Sequence, residues 1–217
     1  MGTELALRLI EHGGHDLTVW NRTAGKAQRV LDAGATSAPT PEAAISRADL
    51  VVTCLFGPAT VRSVVIDAGL LPEGAVWADV TTVSPSDARE FAAWAGQRGI
   101  RYVHCPVVGT LAPARAGKLG VYVGGTDAQA RETVGGVVAA FADPKRLKLL
   151  DSASEAATAK LLANLALAVT AQGVAEAMRL GGAEGFSAEH VLDLLKGTSL
   201  GWMADFKRDF TLGRGTA

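Results

Sequence analysis

Residues 2 to 23 read Gly2-Thr3-Glu4-Leu5-Ala6-Leu7-Arg8-Leu9-Ile10-Glu11-His12-Gly13-Gly14-His15-Asp16-Leu17-Thr18-Val19-Trp20-Asn21-Arg22-Thr23, and their periodicity changes once. Residues 3 to 12 form an amphipathic helical run closed by Gly13-Gly14, whereas Asp16-Leu17-Thr18-Val19-Trp20 alternates polar and apolar as a strand does. The order is helix then strand, with no strand signal ahead of the helix. Acidic Glu4 and Glu11 interrupt the run, so it does not read as a signal peptide.

Working outward, the alternation repeats. Helices are expected over 24 to 33, closed by Gly34, and over 41 to 47, entered through Thr40-Pro41. The apolar run 50 to 55 reads as a buried strand, followed by a helix over 58 to 68 and a strand over 75 to 80. A helix over 85 to 98 begins at Ser84-Pro85. Strands over 100 to 105 and 119 to 124 and a helix over 127 to 141 complete the stretch. Strands separated by helices imply right-handed crossovers and a mainly parallel α/β sheet, lacking the strand that would precede the first helix. From Ser154 to Gly181 the sequence is one long Ala/Leu-rich helical run, followed by a helix over 187 to 196 with Ser187 as its N-cap. The tail from Phe210 to Ala217 carries no regular signal. Two domains are therefore expected, residues 1–150 as an α/β domain and 151–217 as a partial all-α domain.

Composition narrows the function classes. With 48% hydrophobic and 20% charged residues among 217, the chain has apolar matter enough to fold. A formal charge of -1, from 21 basic and 22 acidic residues, gives no basic stripe for a phosphate backbone, so nucleic acid is not an expected partner. Cys54 and Cys105 are too few and too embedded in apolar sequence for a disulfide framework, which fits a reducing, cytoplasmic compartment. The longest apolar stretch, 161 to 174, is interrupted by Asn164, Thr170 and Gln172 and reads as a buried helix rather than a membrane span.

Four constellations could carry chemistry. Gly2 opens a helix and Asn21-Arg22-Thr23 ends the next strand, the spacing of a dinucleotide-binding unit, where Arg22 would suit the 2′-phosphate of NADP. A helix-start glycine and a surface arginine explain the same residues equally. Asp79-Val80-Thr81-Thr82-Val83-Ser84-Pro85 lies at a strand's carboxyl end, where threonine hydroxyls could orient a nicotinamide; an ordinary Ser-Pro helix start is the alternative. Pro106 to Thr110, with Gly117 and Gly124-Gly125, could hold a carboxylate or an amide on backbone N–H groups, or be a plain surface turn. Lys160 and Asn164, one helical turn apart among alanines and leucines, could share an oxygen undergoing proton transfer, with burial lowering the lysine's pKa; Lys160 could also snorkel to solvent. His104 and Cys105 are adjacent on a strand and make a poor metal pair, so no metal is expected. His12, His15 and His190 are expected in solvent, and Trp202, Phe206 and Phe210 at i+4 spacing are expected in a helix core.

Together these pieces resemble the β-hydroxyacid dehydrogenase family, which includes 3-hydroxyisobutyrate dehydrogenases and glyoxylate/succinic semialdehyde reductases and is related to 6-phosphogluconate dehydrogenase. Met1-Gly2 looks like the end of its GxGxMG loop, and Asn21-Arg22-Thr23 like its NADP-type turn. Leu55-Phe56 stands where the family has leucine-proline, Asp79 to Pro85 resembles its DxSTxxP segment, and Lys160 to Asn164 its KxxNN helix. The resemblance implies a Rossmann-type NADP (NADPH) domain, a long interdomain helix and a helical domain that usually forms a homodimer. It further implies that Lys160 is the proton-transferring catalytic residue with Asn164 fixing the oxygen. Leu55, Phe56, Thr60 and Thr82 would line the nicotinamide, and Val108, Gly109 and Thr110 the small-molecule substrate. Val108 replaces the family's serine, Thr110 its second glycine and Ala163 its first KxxNN asparagine, which also admits an imine reductase-like NADPH reductase with an apolar pocket. A catalytically inactive dimerising fragment is the third alternative, since the sequence looks truncated at both ends and is expected to bind NADPH weakly or not at all.

Overall fold

The computed structural model describes residues 1–214; residues 215–217, the end of the expected irregular tail, lie outside the described residues. The chain forms two compact units, Met1–Leu161 and Leu162–Ala217. The last strand ends at Leu150, and the two compact units part at Leu161 and Leu162, inside a continuous helix.

The first unit begins with α1 (Gly2–Gly13), β1 (Thr18–Val19), a 3-10 turn (Ala24–Ala27) running into α2 (Gln28–Asp32), β2 (Thr36–Ser37) and α3 (Pro41–Ile45). Next come β3 (Leu50–Thr53), α4 (Pro58–Val61) with a π-helical turn (Arg62–Ile66), β4 (Val76–Asp79) and α5 (Pro85–Gly96). Then follow β5 (Arg101–His104), β6 (Val107–Val108), α6 (Leu111–Arg115), β7 (Leu119–Gly124), α7 (Ala128–Val138), β8 (Ala142–Leu150) and α8 (Ala153–Ala183). The expected helix over 24 to 33 is thus two short pieces, and the strand over 16 to 20 pairs through only two residues.

β3, β4 and β5 are parallel and in register, with Thr53 beside Asp79 and Asp79 beside His104. β7 runs antiparallel to β5 and β6, and β8 parallel to β7. β1 and β2 form a separate parallel pair. Among the described residues the strands thus form a two-stranded and a six-stranded sheet. β8 carried no sequence signal, because Asp143, Pro144, Lys145, Arg146 and Lys148 make it a polar strand paired only with β7, as suits a sheet edge.

Alternation on β4 separates two cores. Val76 and Ala78 face a cluster with Leu5 and Leu9 of α1 and Ala130, Val134 and Val138 of α7. Trp77 faces the other cluster, with Val61 and Val65, Phe91 of α5, and Ala153 and Ala157 of α8. Burying Trp77 and Phe91 contributes about 2–3 kcal/mol each by transfer. α5 starts where Ser84 and Asp87 form a reciprocal capping box ahead of Pro85, and it buries Ala88, Phe91 and Ala95 at helical spacing.

In the second unit, α9 (Ala188–Leu195), α10 (Gly201–Phe206) and α11 (Arg208–Thr211) follow α8. Its core is Val174, Leu192, Met203 and Ala204, with Ala171, Met178 and Leu200 packed against them. Two expectations are corrected here. Trp202, Phe206 and Phe210 are exposed rather than core, because α10 turns Met203 and Ala204 inward; Trp202 and Phe206 instead stack at 5.2 Å. The stretch 161 to 174 is not buried either. Leu162 and Leu165 are 62% and 60% exposed, since the short helices α9 and α10 reach only Ala171 and beyond. By length and composition α8 is apolar enough to cross a membrane, yet its first turns are packed in the α/β core through Ala153, Ala156 and Ala157.

Candidate functional site

The carboxyl ends of β3, β4 and β5 are level, so the segments leaving them share one edge of the sheet, where ligands bind in open α/β folds. The backbone ladder ends with Val80 N–H donating to the Thr53 carbonyl at 2.8 Å and Cys105 N–H to the Asp79 carbonyl at 2.8 Å. Beyond it the Leu55 N–H donates to the Thr81 hydroxyl at 3.0 Å. That bond joins the turn Leu55-Phe56-Gly57 to the segment Thr81-Thr82-Val83. Phe56 is fully exposed at the rim, Thr82 is exposed, and Leu55 and Thr60 are half-buried.

Gly2 opens α1 at the same edge. A Cβ there would lie 3.6 Å from both Cβ and Sγ of Cys54, which follows β3 directly. Cys54 is exposed rather than embedded, unlike buried Cys105. Asn21-Arg22-Thr23 follows β1, with the Asn21 side-chain amide donating to the Thr23 carbonyl at 2.6 Å. Arg22 is exposed, and no carboxylate pairs with it among the described residues. These residues fit a dinucleotide in part: the N–H groups opening α1 suit a phosphate and Arg22 a second one, while Gly2 alone stands for the glycine turn.

The other expected residues stand on β6, on the turn that follows it, and on α8. Val108 ends β6 opposite Gly120 of β7. Gly109 follows at φ +146, a conformation that favours glycine, with Leu119 Cδ2 2.6 Å from where a Cβ would stand. Thr110 precedes α6 without a capping bond from its side chain. Lys160 is half-buried on α8, and burial lowers its pKa; Asn164 follows one turn along the helix and is exposed. His12, His15 and His190 are exposed, as expected. Among the described residues no three His, Cys, Asp or Glu side chains gather for a metal.

Beneath the edge lies a buried cluster that joins Asp79, Thr81 and His104 to Thr53 and Tyr102, residues the sequence did not connect. Asp79 and His104 are fully buried, and Thr53, Thr81 and Tyr102 nearly so. Asp79 Oδ1 accepts from the Thr53 hydroxyl at 2.8 Å and the Thr81 N–H at 3.1 Å, and Oδ2 from the Tyr102 hydroxyl at 3.3 Å. Trp77 Nε1 donates to the Thr53 hydroxyl at 2.9 Å. Burial pushes the Asp79 carboxyl up to about 6 against these hydrogen bonds, and pushes the His104 imidazole down to about 4. His104 Nε2 has no partner among the described residues. The available signal was positional: Thr53, Asp79 and His104 are polar residues at the ends of three successive apolar strands.

Residues 1–175 match the family model described as the NAD binding domain of 6-phosphogluconate dehydrogenase. The chain is 32% identical to an NAD-dependent L-serine dehydrogenase from Pseudomonas aeruginosa, over 93% of its own length and 67% of the relative's. A Mycobacterium tuberculosis 3-hydroxyisobutyrate dehydrogenase solved with L-serine superposes at TM-score 0.78 with 27% identity, covering 92% of this chain and 67% of that one. A reductive aminase from Aspergillus terreus, in complex with NADPH and ethyl-5-oxohexanoate, superposes at 0.77 with 31% identity, covering 98% and 72%. The chain thus spans between two thirds and about seven-tenths of these relatives.

Proposed function

Because the chain belongs to the β-hydroxyacid dehydrogenase family, with an NAD-binding domain of the 6-phosphogluconate dehydrogenase type, we propose that it is an NADP-dependent oxidoreductase acting on a small hydroxy acid or semialdehyde. The observation that carries this reading is the shared edge of Gly2, Cys54, Leu55 and Thr81, where a helix N-terminus meets a hydroxyl-tethered turn. NADP rather than NAD follows from Arg22, an exposed guanidinium at the end of β1 that suits a 2′-phosphate. Leu55, Phe56, Thr60 and Thr82 take the nicotinamide side, Asn21 and Thr23 the ribose side, and Gly2 the pyrophosphate.

When bound, the nicotinamide supplies hydride in reduction and accepts it in oxidation. Lys160 gives a proton to the substrate oxygen in reduction and takes it back in oxidation, and its lowered pKa brings that exchange nearer neutrality. Asn164 fixes the same oxygen. Val108, Gly109 and Thr110 face the rest of a small-molecule substrate.

A second reading, an NADPH-dependent imine reductase-like enzyme with an apolar pocket, is favoured by Val108, which offers no hydroxyl to a carboxylate, and by the likeness to the reductive aminase. A third, a catalytically inactive chain that only dimerises, draws on the exposed Leu162, Leu165 and Val169 of α8. A homodimer in the cytoplasm is proposed in every case, with neither nucleic acid nor membrane as partner. The test is thermal stabilisation by NADPH and NADH, since a ligand bound only to the folded state at 100 times its Kd stabilises by about 2.7 kcal/mol. Selective stabilisation by NADPH supports the proposal and leads to a comparison of hydroxy acids, semialdehydes and cyclic imines. NADH preference would remove the role given to Arg22, and no response to either would remove the cofactor.

A further inference from the structure

Beyond the β3–β4 ladder the Leu55 amide has a side chain rather than a strand as its partner. On the turn it begins Phe56 is fully exposed, while Leu55 packs on the cluster around Trp77 and the Gly57 carbonyl accepts from the Thr60 and Val61 amides at 3.0 and 3.1 Å. The Thr81 hydroxyl is the hydrogen-bond partner that ties the turn's first amide to the neighbouring strand end, and Asp79 sets where that hydroxyl sits. Its Oδ1 accepts the Thr81 N–H at 3.1 Å, which orients the Thr81 backbone, while the Thr53 hydroxyl at 2.8 Å and the Tyr102 hydroxyl at 3.3 Å hold the carboxylate from β3 and β5. Thr53 is itself committed, receiving the Trp77 indole N–H and donating to Asp79. The carboxylate thus bonds to three chain segments at once, and one of them passes its position on to Leu55.

We propose that Asp79 and Thr81 form the positioning pair of the cofactor edge: Asp79 fixes Thr81, and the Thr81 hydroxyl fixes the Leu55-Phe56 turn against which the nicotinamide would lie. Neither residue touches the cofactor in this scheme. The inference rests on the cofactor reading for its consequence, but the positioning itself is a property of the free chain. Reach explains the residue types. The carboxylate accepts from side chains of both neighbouring strands and from a backbone amide together, and a threonine accepts from Leu55 while its own amide is held.

The test is amide hydrogen exchange of the whole chain without cofactor, read at Leu55 and, as a ladder reference, at Val80, followed by NADPH titration. Thr81→Val should speed exchange at Leu55 about tenfold, the effect of losing one hydrogen bond, and leave Val80 unchanged. Thr81→Ser, which keeps the hydroxyl, should restore protection. Asp79→Ala should act as Thr81→Val does, and Asp79→Asn, which keeps an Oδ1 acceptor, should largely restore it. The variants that free Leu55 should raise the Kd for NADPH, and the conservative ones should not. Unchanged Leu55 protection in Thr81→Val, or equal losses at Leu55 and Val80, overturns the proposal. Should Asp79→Ala fail to fold, the two Thr81 variants and Asp79→Asn still decide it. Should exchange respond as expected while even the unaltered chain ignores NADPH, the cofactor reading fails and the positioning stands.

Discussion

Glu4 Oε1 accepts a hydrogen bond from Arg29 Nη1 at 2.8 Å, with the carboxylate side chain only 5% exposed. Arg115 Nη2 reaches the same oxygen at 3.1 Å, so one buried acid joins α1 to α2 and α6. The Arg29 hydrogen bond, with that of Arg115, holds the carboxyl down at about 2. A lowered carboxyl pKa means that the unfolded chain binds more protons at low pH, so this contribution is full above about 4.5 and is lost as pH falls towards 2. Glu4→Gln should cost about 2 kcal/mol near neutrality in urea denaturation, and the difference from the unaltered chain should shrink below pH 4. A constant difference across that range would refute the assignment.

Asp79 and His104 push pH dependence in opposite directions. Asp79 is raised to about 6 by burial, so its contribution to stability is greatest at low pH and declines as pH rises from about 4 to about 6. His104 is lowered to about 4 by burial, so its contribution is full above about 6.5 and is lost as pH falls through about 4. The two oppose each other. His104→Asn should therefore leave a chain whose stability, relative to the unaltered one, falls with rising pH over this window, and Asp79→Asn one whose relative stability rises. Chemical denaturation at half-unit steps of pH reads both slopes; slopes of the same sign would sink the account.

Gly124 closes β7 where α8 begins. A Cβ there would overlap the Ser152 carbonyl oxygen and stand 2.8 Å from Ala156 Cβ, neither of which is the end of a flexible side chain. Gly124→Ala should cost about 1–3 kcal/mol, as overpacking does, and lower Tm. Gly136→Ala, where an added Cβ meets nothing within 4 Å, should not.

Arg22 is the residue on which the choice of cofactor rests. Removing a charge-assisted hydrogen bond to a phosphate should cost about tenfold to a hundredfold in affinity. Arg22→Ala should weaken NADPH binding by that factor and leave NADH binding as it was. Equal losses for both cofactors would place Arg22 elsewhere than at the 2′-phosphate.

The parts of this fold that were legible in the sequence are those in which one element decides its own character. The apolar runs of β3 and β7 and the Ser84-Pro85 start of α5 carry their signals locally. β8 does not, because its strand character comes from pairing with β7 while Lys145, Arg146 and Lys148 face solvent. The edge behaves in the same way: Leu55 and Thr82 could be placed from their motifs, but the bond between Leu55 and Thr81 depends on the register of β3 against β4. The outward turn of Trp202 was hidden too, since i+4 spacing shows that a helix has a stripe and not which way the stripe faces.

Lys160 separates the proposed readings. Its pKa is lowered by burial, and among the described residues no carboxylate pairs with it, so its proton is held by solvation rather than by an ion pair. A lysine in that state exchanges a proton more readily near neutrality than a solvated one. If it protonates the substrate oxygen, Lys160→Ala should lower kcat on a hydroxy acid or semialdehyde by about a hundredfold to ten-thousandfold and leave the Kd for NADPH unchanged. The basic limb of the pH profile, which reports loss of the lysine proton in the reducing direction, should disappear with it. Retained turnover on a cyclic imine in the same variant would transfer the weight to the apolar-pocket reading, because there the substrate nitrogen arrives already protonated and Val108 rather than Lys160 would govern selectivity.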